Sequence, residues 1–147
     1  MTDGVSPMRH MIMTVALILC ASCVSAEPTV ELKGETFSVE LATTPKTQSL
    51  GLMFRESLED DHGMLFIFPS AITRGFWMKN TKIALDIFYF DNDLMLVNVI
   101  ENAQPCRTTQ CPSYSSTGPA RYVLELNAGK AAELGVEAGD ALVLDIE

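Results

Sequence analysis

Basic residues are scarce in this chain. It has 10 lysines and arginines against 19 aspartates and glutamates, and its formal net charge is −9 at pH 7. Nucleic acids and anionic lipid surfaces attract proteins through lysine and arginine, which neutralise phosphate groups. The charge balance therefore argues against nucleic acid as a partner, and it favours solubility of the folded chain.

Histidine is also rare, with 2 residues among 147. His10 lies near the N-terminus, so His62 is the one histidine in the rest of the chain. A serine or cysteine nucleophile usually needs a histidine base, and a structural zinc site needs four ligands rich in cysteine and histidine. Because His62 follows the acidic residues 59–61 in a polar segment, no catalytic triad, metal site or cofactor is predicted.

The chain lacks an apolar run of the ~20 residues that a helix needs to cross a bilayer. A shorter apolar segment, residues 12–19, follows Arg9 and precedes the Val-Ser-Ala of residues 24–26. A basic start, a short apolar core and small residues before the cleavage position are typical of a secretory signal peptide. We therefore predict a signal peptide over residues 1–26, a single domain over residues 27–147, and no transmembrane domain after cleavage.

Two details of the leader stay open. Met8 is an alternative start to Met1, because Asp3 is unusual in the basic part of a signal peptide. Cys20 and Cys23 lie inside the leader, and acylation of Cys23 would give a lipoprotein anchor. The residues before Cys23 fit a lipoprotein signal poorly, so the preferred prediction is a periplasmic or secreted protein.

Cysteine is sparse after the leader, where Cys106 and Cys111 are the two that remain. Thiols meet an oxidising environment after export, which favours a disulfide between them. Closing so short a loop stabilises a fold by about 2 kcal/mol in the chain-entropy model. A redox pair is the weaker interpretation, because the spacing differs from the C-x-x-C of thioredoxin-like proteins.

Alternating and apolar runs predict strands along most of the domain. Residues 36–41 alternate apolar and polar side chains, which is typical of a half-buried strand, and residues 64–68 are entirely apolar. Two β-rich runs, residues 85–90 and 94–101, flank a short Asp-Asn-Asp segment. That arrangement predicts a β-hairpin, and its apolar character on both faces predicts that both faces are covered.

Two short helices are predicted between the strands. Thr44 is a suitable N-cap and Pro45 a suitable first helical residue, while the second helix should end at Gly135. Strands without a regular alternation of strand and helix indicate an all-β architecture. The predicted fold class is therefore mainly β, a compact antiparallel barrel or jelly-roll-like sandwich with two short helices.

Four segments of the chain resemble the DUF192 family of small bacterial and archaeal proteins. They are GLMFRESLEDDHGMLFIFP, FWMKNTKIALDIFYFD, PCRTTQCPSYSS and ARYVLELNAGKAAELGVEAGD, in the family's order and spacing. The resemblance covers nearly all of residues 30–146. It implies a compact, mostly β fold resembling a barrel or jelly roll and, as in many members, an export signal. It implies no particular chemistry, because the family's biochemical function is not established.

The segment after Gly75 raises the question of a ligand site. If it is a strand, Phe76 and Met78 share one face, while Trp77 and Lys79 share the other. Ligand pockets combine aromatic walls with a few convergent polar groups, and the long loop 102–119 supplies more of both. The predicted ligand-binding residues are Trp77, Lys79, Asn80, Tyr114 and Arg121.

Two carboxylates interrupt strand-like runs that are otherwise apolar, Asp86 and Glu125. A buried acid must be paired, hydrogen-bonded or protonated, and Arg55 is a candidate partner. An acid–arginine pair with a structural role is the first interpretation. Glycoside hydrolysis, which needs two carboxyl groups about 5–9.5 Å apart, is the second.

These observations predict an exported, envelope-associated binding or interaction module. Its ligand would be a carbohydrate or another small molecule, and an envelope protein is a further candidate partner. The alternative is a hydrolase that acts on envelope carbohydrate or peptide through Asp86 or Glu125. Enzymatic activity is left open, with a binding role preferred.

Overall fold

The computed structural model describes Met1 and residues 27–146, so the predicted signal peptide and its two cysteines lie outside the described residues apart from Met1. No helix in this part of the chain is long and apolar enough to cross a bilayer. The described residues form nine strands and two short helices. They are β1 (Thr29–Leu32), β2 (Glu35–Ala42), α1 (Pro45–Leu50), β3 (His62–Ile72), β4 (Gly75–Trp77), β5 (Leu85–Phe90), β6 (Leu96–Ala103), β7 (Ser113–Ser115), β8 (Ala120–Asn127), α2 (Lys130–Leu134) and β9 (Leu142–Asp145).

Seven of the strands form one curled sheet in the order β6-β5-β8-β3-β2-β1-β9, and β4 pairs with β7 in a small second sheet. The two edge strands approach each other at one end, where Met95 and Ala141 form an isolated antiparallel bridge. The result is a half-barrel, which confirms the predicted mainly β class. One neighbouring pair, β2 and β3, is parallel, and α1 lies in the connection between these strands.

The hairpins follow from short-range sequence features. Lys33 and Gly34 both adopt positive φ, at 56° and 85°, which is the backbone of the tight turn that joins β1 to β2. Between β5 and β6, Asp91 Oδ1 accepts hydrogen bonds from the backbone N–H groups of Asp93 (2.9 Å) and Met95 (3.0 Å). The hairpin predicted around the Asp-Asn-Asp segment is confirmed.

Helix α1 begins with the predicted cap. Thr44 Oγ1 accepts from the Thr47 backbone N–H at 3.2 Å, and Thr47 Oγ1 accepts from the Thr44 N–H at 3.0 Å. Pro45 occupies the first helical position, where its missing N–H removes no helical hydrogen bond. This reciprocal cap fixes the start of a helix that is only 6 residues long.

We predict that Thr44→Ala lowers the free energy of unfolding by about 1 kcal/mol, because it removes the side-chain half of the cap. Urea denaturation followed by circular dichroism measures the difference. Thr43→Ala is the matched control, since Thr43 is an exposed neighbour with no side-chain hydrogen bond among the described residues. Equal stability of the two variants would contradict a role for the cap.

Apolar side chains cover both faces of the curled sheet, as the β5 sequence predicts. Phe88, Leu124 and Leu126 belong to the cluster on one face, and Phe66 and Val123 to the cluster on the other. Strand β5 is buried at all six positions. Because side chains alternate along β8, Glu125 projects on the same face as Val123, into the second cluster.

Gly63 allows β3 to approach β8 closely beside Glu125. A Cβ atom at Gly63 would lie only 2.6 Å from the carbonyl oxygen of Glu125. Glycine is therefore required there, and the contact holds the Glu125 backbone firmly between two strands.

Candidate functional site

A pocket of about 390 Å³ opens on the second face of the sheet. It lies between α1 with the turn that follows it, strands β3 and β8, and the small sheet at β4. Its volume falls in the range typical of small-molecule sites. The residues that line it are Pro45, Gln48, Ser49, Leu50, Gly51, Leu52, Met53, Phe66, Phe68, Gly75, Phe76, Trp77, Thr81 and Glu125, and we call it the Glu125 pocket.

Glu125 is the one acidic or basic residue in this lining. It pairs with Met64 of β3 on one side and Ile87 of β5 on the other, and its side chain is 5% exposed. Within residues 27–146 no donor forms a hydrogen bond with its carboxyl group. Every fully enclosed side-chain oxygen or nitrogen in the described chain does have a partner. The Glu125 carboxyl is therefore open to the pocket, where a ligand can reach it.

Burial controls the charge of this carboxyl. Removal from water raises the pKa of Glu125 to about 8, since the apolar surroundings disfavour the ionised form. Burial also raises the pKa of Tyr89 above its usual range, and the negative charge of Glu125 adds to that effect. The Tyr89 hydroxyl donates to the carbonyl oxygen of Tyr114 at 2.8 Å.

Aromatic rings build the wall beside the carboxyl. Phe76 packs edge-to-face against Phe66 and Tyr89, with ring centroids 4.9 Å and 5.9 Å away. Trp77 lies at the mouth and is 52% exposed. The Lys79 ammonium group lies 5.1 Å from the centroid of the Trp77 ring. The pocket thus combines an apolar, aromatic interior with a single acid.

Comparison with known proteins identifies the family. The sequence profile of DUF192, described as uncharacterized ACR, matches residues 28–144. The chain belongs to the DUF192 family. No curated protein matches it.

Two solved structures are similar to this DUF192 domain over most of its length. A protein of unknown function from Novosphingobium aromaticivorans DSM 12444 is 39% identical, with a TM-score of 0.71, over 79% of this chain and 82% of the other. A protein from Sinorhizobium meliloti 1021, described as a candidate transcription regulator, is 40% identical, with a TM-score of 0.73, over 81% and 94% of the two chains. Both agree with the mainly β fold.

The predicted ligand-binding residues of this DUF192 domain do not share one concavity. Trp77 lines the Glu125 pocket and Lys79 contacts the Trp77 ring, whereas Asn80 borders a second concavity beside Phe54 and Arg107. The reason is local, because Asn80 adopts a positive φ of 58° and turns the chain away after Lys79. The predicted alternation through the segment after Gly75 is confirmed for Trp77, which is exposed, and Met78, which is buried.

The other two predicted residues also lie away from the pocket interior. Tyr114 of β7 pairs with Phe76 and packs into the second cluster. Arg121 borders a third concavity, where its Nε donates to the carbonyl oxygen of Phe68 at 3.2 Å. The structure therefore does not bring the five residues together in one site.

The two strand carboxylates have different environments. Asp86 accepts three backbone hydrogen bonds, from Asn102 (2.7 Å), Gly129 (3.0 Å) and Ala131 (2.8 Å). Because Ile87 is the register partner of Glu125, its neighbour Asp86 projects from the opposite face of the sheet. The two acids cannot act together on one substrate.

Neither acid pairs with arginine in the described chain. Arg55, the predicted partner, instead contacts Glu40 at 2.7 Å, and both side chains are exposed. The sequence interpretation also missed the wall formed by Gln48, Leu52 and Phe66. The apolar residues within 50–54 were the sequence signal for this wall, but such a run is equally typical of a helix that packs into a core.

The loop between β6 and β7 contains a disulfide. Cys106 and Cys111 are bonded, with an S–S distance of 2.09 Å, as the sequence predicts. The Cys106 N–H donates to the carbonyl oxygen of Met78 at 3.0 Å, which ties the loop to the segment that carries Trp77. Among the residues described, no three histidine, cysteine, aspartate or glutamate side chains are grouped so that they could hold a metal ion.

Proposed function

We propose that this protein is an exported, envelope-associated binding module that takes a small molecule into the Glu125 pocket. The observation that carries the proposal is the pocket itself, an apolar cavity of about 390 Å³ with one carboxyl group open to it. Small-molecule sites typically combine apolar walls with a few polar groups that orient the ligand. Here Gln48, Ser49 and Thr81 are uncharged polar residues in the lining of the pocket.

The environment of Glu125 supports a functional role. An unpaired buried carboxyl costs stability, and a leucine or methionine at this position would fit the apolar cluster without that cost. Residues with strongly perturbed pKa values in a cleft are candidates for functional sites. A ligand group that forms a hydrogen bond with Glu125 would satisfy the carboxyl in the bound state.

The hydrolase alternative has weaker support. The raised pKa of Glu125 suits a general acid at neutral pH. Glycoside hydrolysis also requires a second carboxyl across the cleft, and Asp86 lies on the other face of the sheet. The lining of the Glu125 pocket contains no second acid and no histidine. Binding is therefore the function that the geometry supports best.

The charge of this chain argues against DNA as its ligand, although the similar protein from Sinorhizobium meliloti is described as a candidate transcription regulator. Binding to DNA depends on lysine and arginine contacts with phosphate groups. The chain carries a net charge of −9. Its charge supports a ligand other than nucleic acid.

The location in the envelope rests on the leader of residues 1–26. Mass spectrometry of the protein recovered from the periplasm or medium tests it. Cleavage after Ala26, which removes Cys23, would support a freely exported protein, whereas a mature chain that begins at an acylated Cys23 would support a lipoprotein anchor. Recovery of the intact precursor from the cytoplasm would overturn the export proposal and leave the pocket proposal to its own test.

Binding itself is tested with hexanol as a neutral apolar probe, alongside a panel of glycans and muropeptides. We expect hexanol to change the fluorescence of Trp77, the single tryptophan of the chain, in a saturable manner. Ser49→Phe places a ring at the exposed edge of the pocket and should abolish the change. Ser57→Phe, at an exposed position outside the pocket lining, is the matched control and should preserve it.

Calorimetric titration with the same compounds provides the second readout. Absence of saturable binding for every compound by both methods would overturn the binding proposal. Equal binding by Ser49→Phe and the unmodified protein would also overturn it, since the ligand would then lie elsewhere.

A further inference from the structure

We infer that the Glu125 pocket selects a small organic cation, an ammonium group on an apolar body, with the ammonium group against the Glu125 carboxyl. This inference rests on the proposed function and names the class of its ligand. It follows from three features of the pocket: its charge, its rings and its lack of an internal counter-ion.

The charge of the lining favours a cation. Glu125 is the one ionisable side chain that lines the pocket, and no lysine, arginine or histidine is among the lining residues. An opposite charge within a few ångströms strongly favours the ionised form of a buried carboxyl group. In the described part of the chain no cation fills that role, so a cationic ligand would supply the opposite charge when the carboxyl is ionised. An anionic ligand would meet repulsion from the ionised carboxyl.

The aromatic wall favours the same class. Phe66, Phe68, Phe76 and Trp77 all line the pocket. Ring faces attract ammonium groups, more strongly when water is excluded, and aromatic cages are a common means of binding alkylated ammonium. Two of these rings already contact cations of the chain, Trp77 with the Lys79 ammonium group at 5.1 Å and Phe68 with the Arg74 guanidinium group at 3.9 Å. Phe66 and Phe76 have no such contact among the described residues. An apolar body would occupy the part of the pocket formed by Leu50, Leu52 and Met53.

The surroundings of Glu125 define how binding should depend on pH. On β5, Tyr89 is the titratable group near Glu125, and on β3 the facing side chains are Met64 and Phe66. Gln48 of α1 and Thr81 are uncharged. Glu125 is therefore the group in the pocket that changes charge near neutral pH, and its ionised form is the one that attracts a cation.

Three probes with one apolar body separate the possibilities: hexylammonium, hexanol and hexanoate. We expect hexylammonium to bind at least about tenfold more tightly than hexanol, since close charge pairs across interfaces contribute this much or more. Hexanoate should bind more weakly than hexanol. Affinity for hexylammonium should rise between about pH 6 and about pH 9, a range in which alkyl ammonium stays protonated. Affinity for hexanol should stay constant.

Glu125→Gln should reduce the preference for hexylammonium over hexanol to nearly one, and should retain hexanol binding if the pocket is intact. Glu31→Gln, at an exposed position on β1, removes a surface charge and should keep the preference. If Glu125→Gln does not fold, the pH dependence of the unmodified protein decides instead. Equal affinities for hexylammonium and hexanol, or tighter binding of hexanoate, would overturn the inference while leaving the proposed function standing. Failure of hexanol and the other probes alike would instead count against the proposed function.

Discussion

Asp86→Ala is expected to lower the free energy of unfolding by about 4 kcal/mol, because it removes the acceptor of three backbone donors, one in a buried hydrogen bond and two in part-buried ones. Those donors come from two different parts of the chain. Asn102 lies at the end of β6, while Gly129 and Ala131 belong to the start of α2. The Asp86 side chain is fully buried, so water cannot replace it without opening the structure.

Urea denaturation at constant pH measures this effect. Asp93→Ala is the control, because the Asp93 side chain is exposed in the β5–β6 turn and forms no hydrogen bond within the described residues. The loss of stability in Asp86→Asn should lie between the losses in Asp86→Ala and Asp93→Ala. The asparagine oxygen can still accept a hydrogen bond, but its NH₂ group would face other donors. A loss below about 1 kcal/mol for Asp86→Ala would show that the three contacts contribute little net stability.

Asp86 and Glu125 also show where sequence reasoning stops. Each is a single acid in an apolar strand, so the pattern predicts burial for both, and both are buried. Their roles depend on register, because Glu125 opposes Ile87 and Asp86 therefore projects from the other face. No local pattern shows that the Asp86 carboxylate accepts from three backbone donors while the Glu125 carboxyl faces a pocket.

Local features were predicted more reliably than contacts between distant segments. The Thr44 cap, the hairpin of β5 and β6 and the alternation through Trp77 each depend on residues close together in the sequence. The parallel pairing of β2 with β3 depends on a crossover through α1, and tertiary packing decides it. The pocket lies beside that crossover, which is why the sequence indicated Trp77 but not the wall opposite it.

The pairing of Arg55 illustrates the same limit. The sequence offered Asp86 and Glu125 as partners for it, because buried acids need compensation. The structure pairs Arg55 with the exposed Glu40. Backbone N–H groups form the hydrogen bonds that satisfy the buried Asp86 carboxylate. Almost every residue has such a group, so the sequence does not show which ones will contact Asp86.

The largest pH effect should come from Glu125. In the folded chain its carboxyl keeps a proton up to a pKa of about 8, whereas in the unfolded chain it loses the proton near its ordinary value of 4.5. Between these values the folded state binds more protons, so rising pH favours unfolding. The contribution of Glu125 to stability should therefore fall by about 4 kcal/mol from about pH 5 to about pH 8.

Glu125→Gln removes this titration while retaining a similar shape. Near pH 5 we expect the free energy of unfolding of the variant to equal that of the unmodified protein or to be lower. Near pH 8 we expect it to be clearly higher. Urea denaturation at a series of pH values measures the difference. Asp61 raises the pKa of His62 above its ordinary value, but both proteins contain this histidine and the comparison cancels its effect. Glu31→Gln controls for the loss of a surface carboxyl and should follow the unmodified protein. Parallel curves for Glu125→Gln and the unmodified protein would mean that the carboxyl is solvated in the folded state, so that water already occupies the place assigned to a ligand.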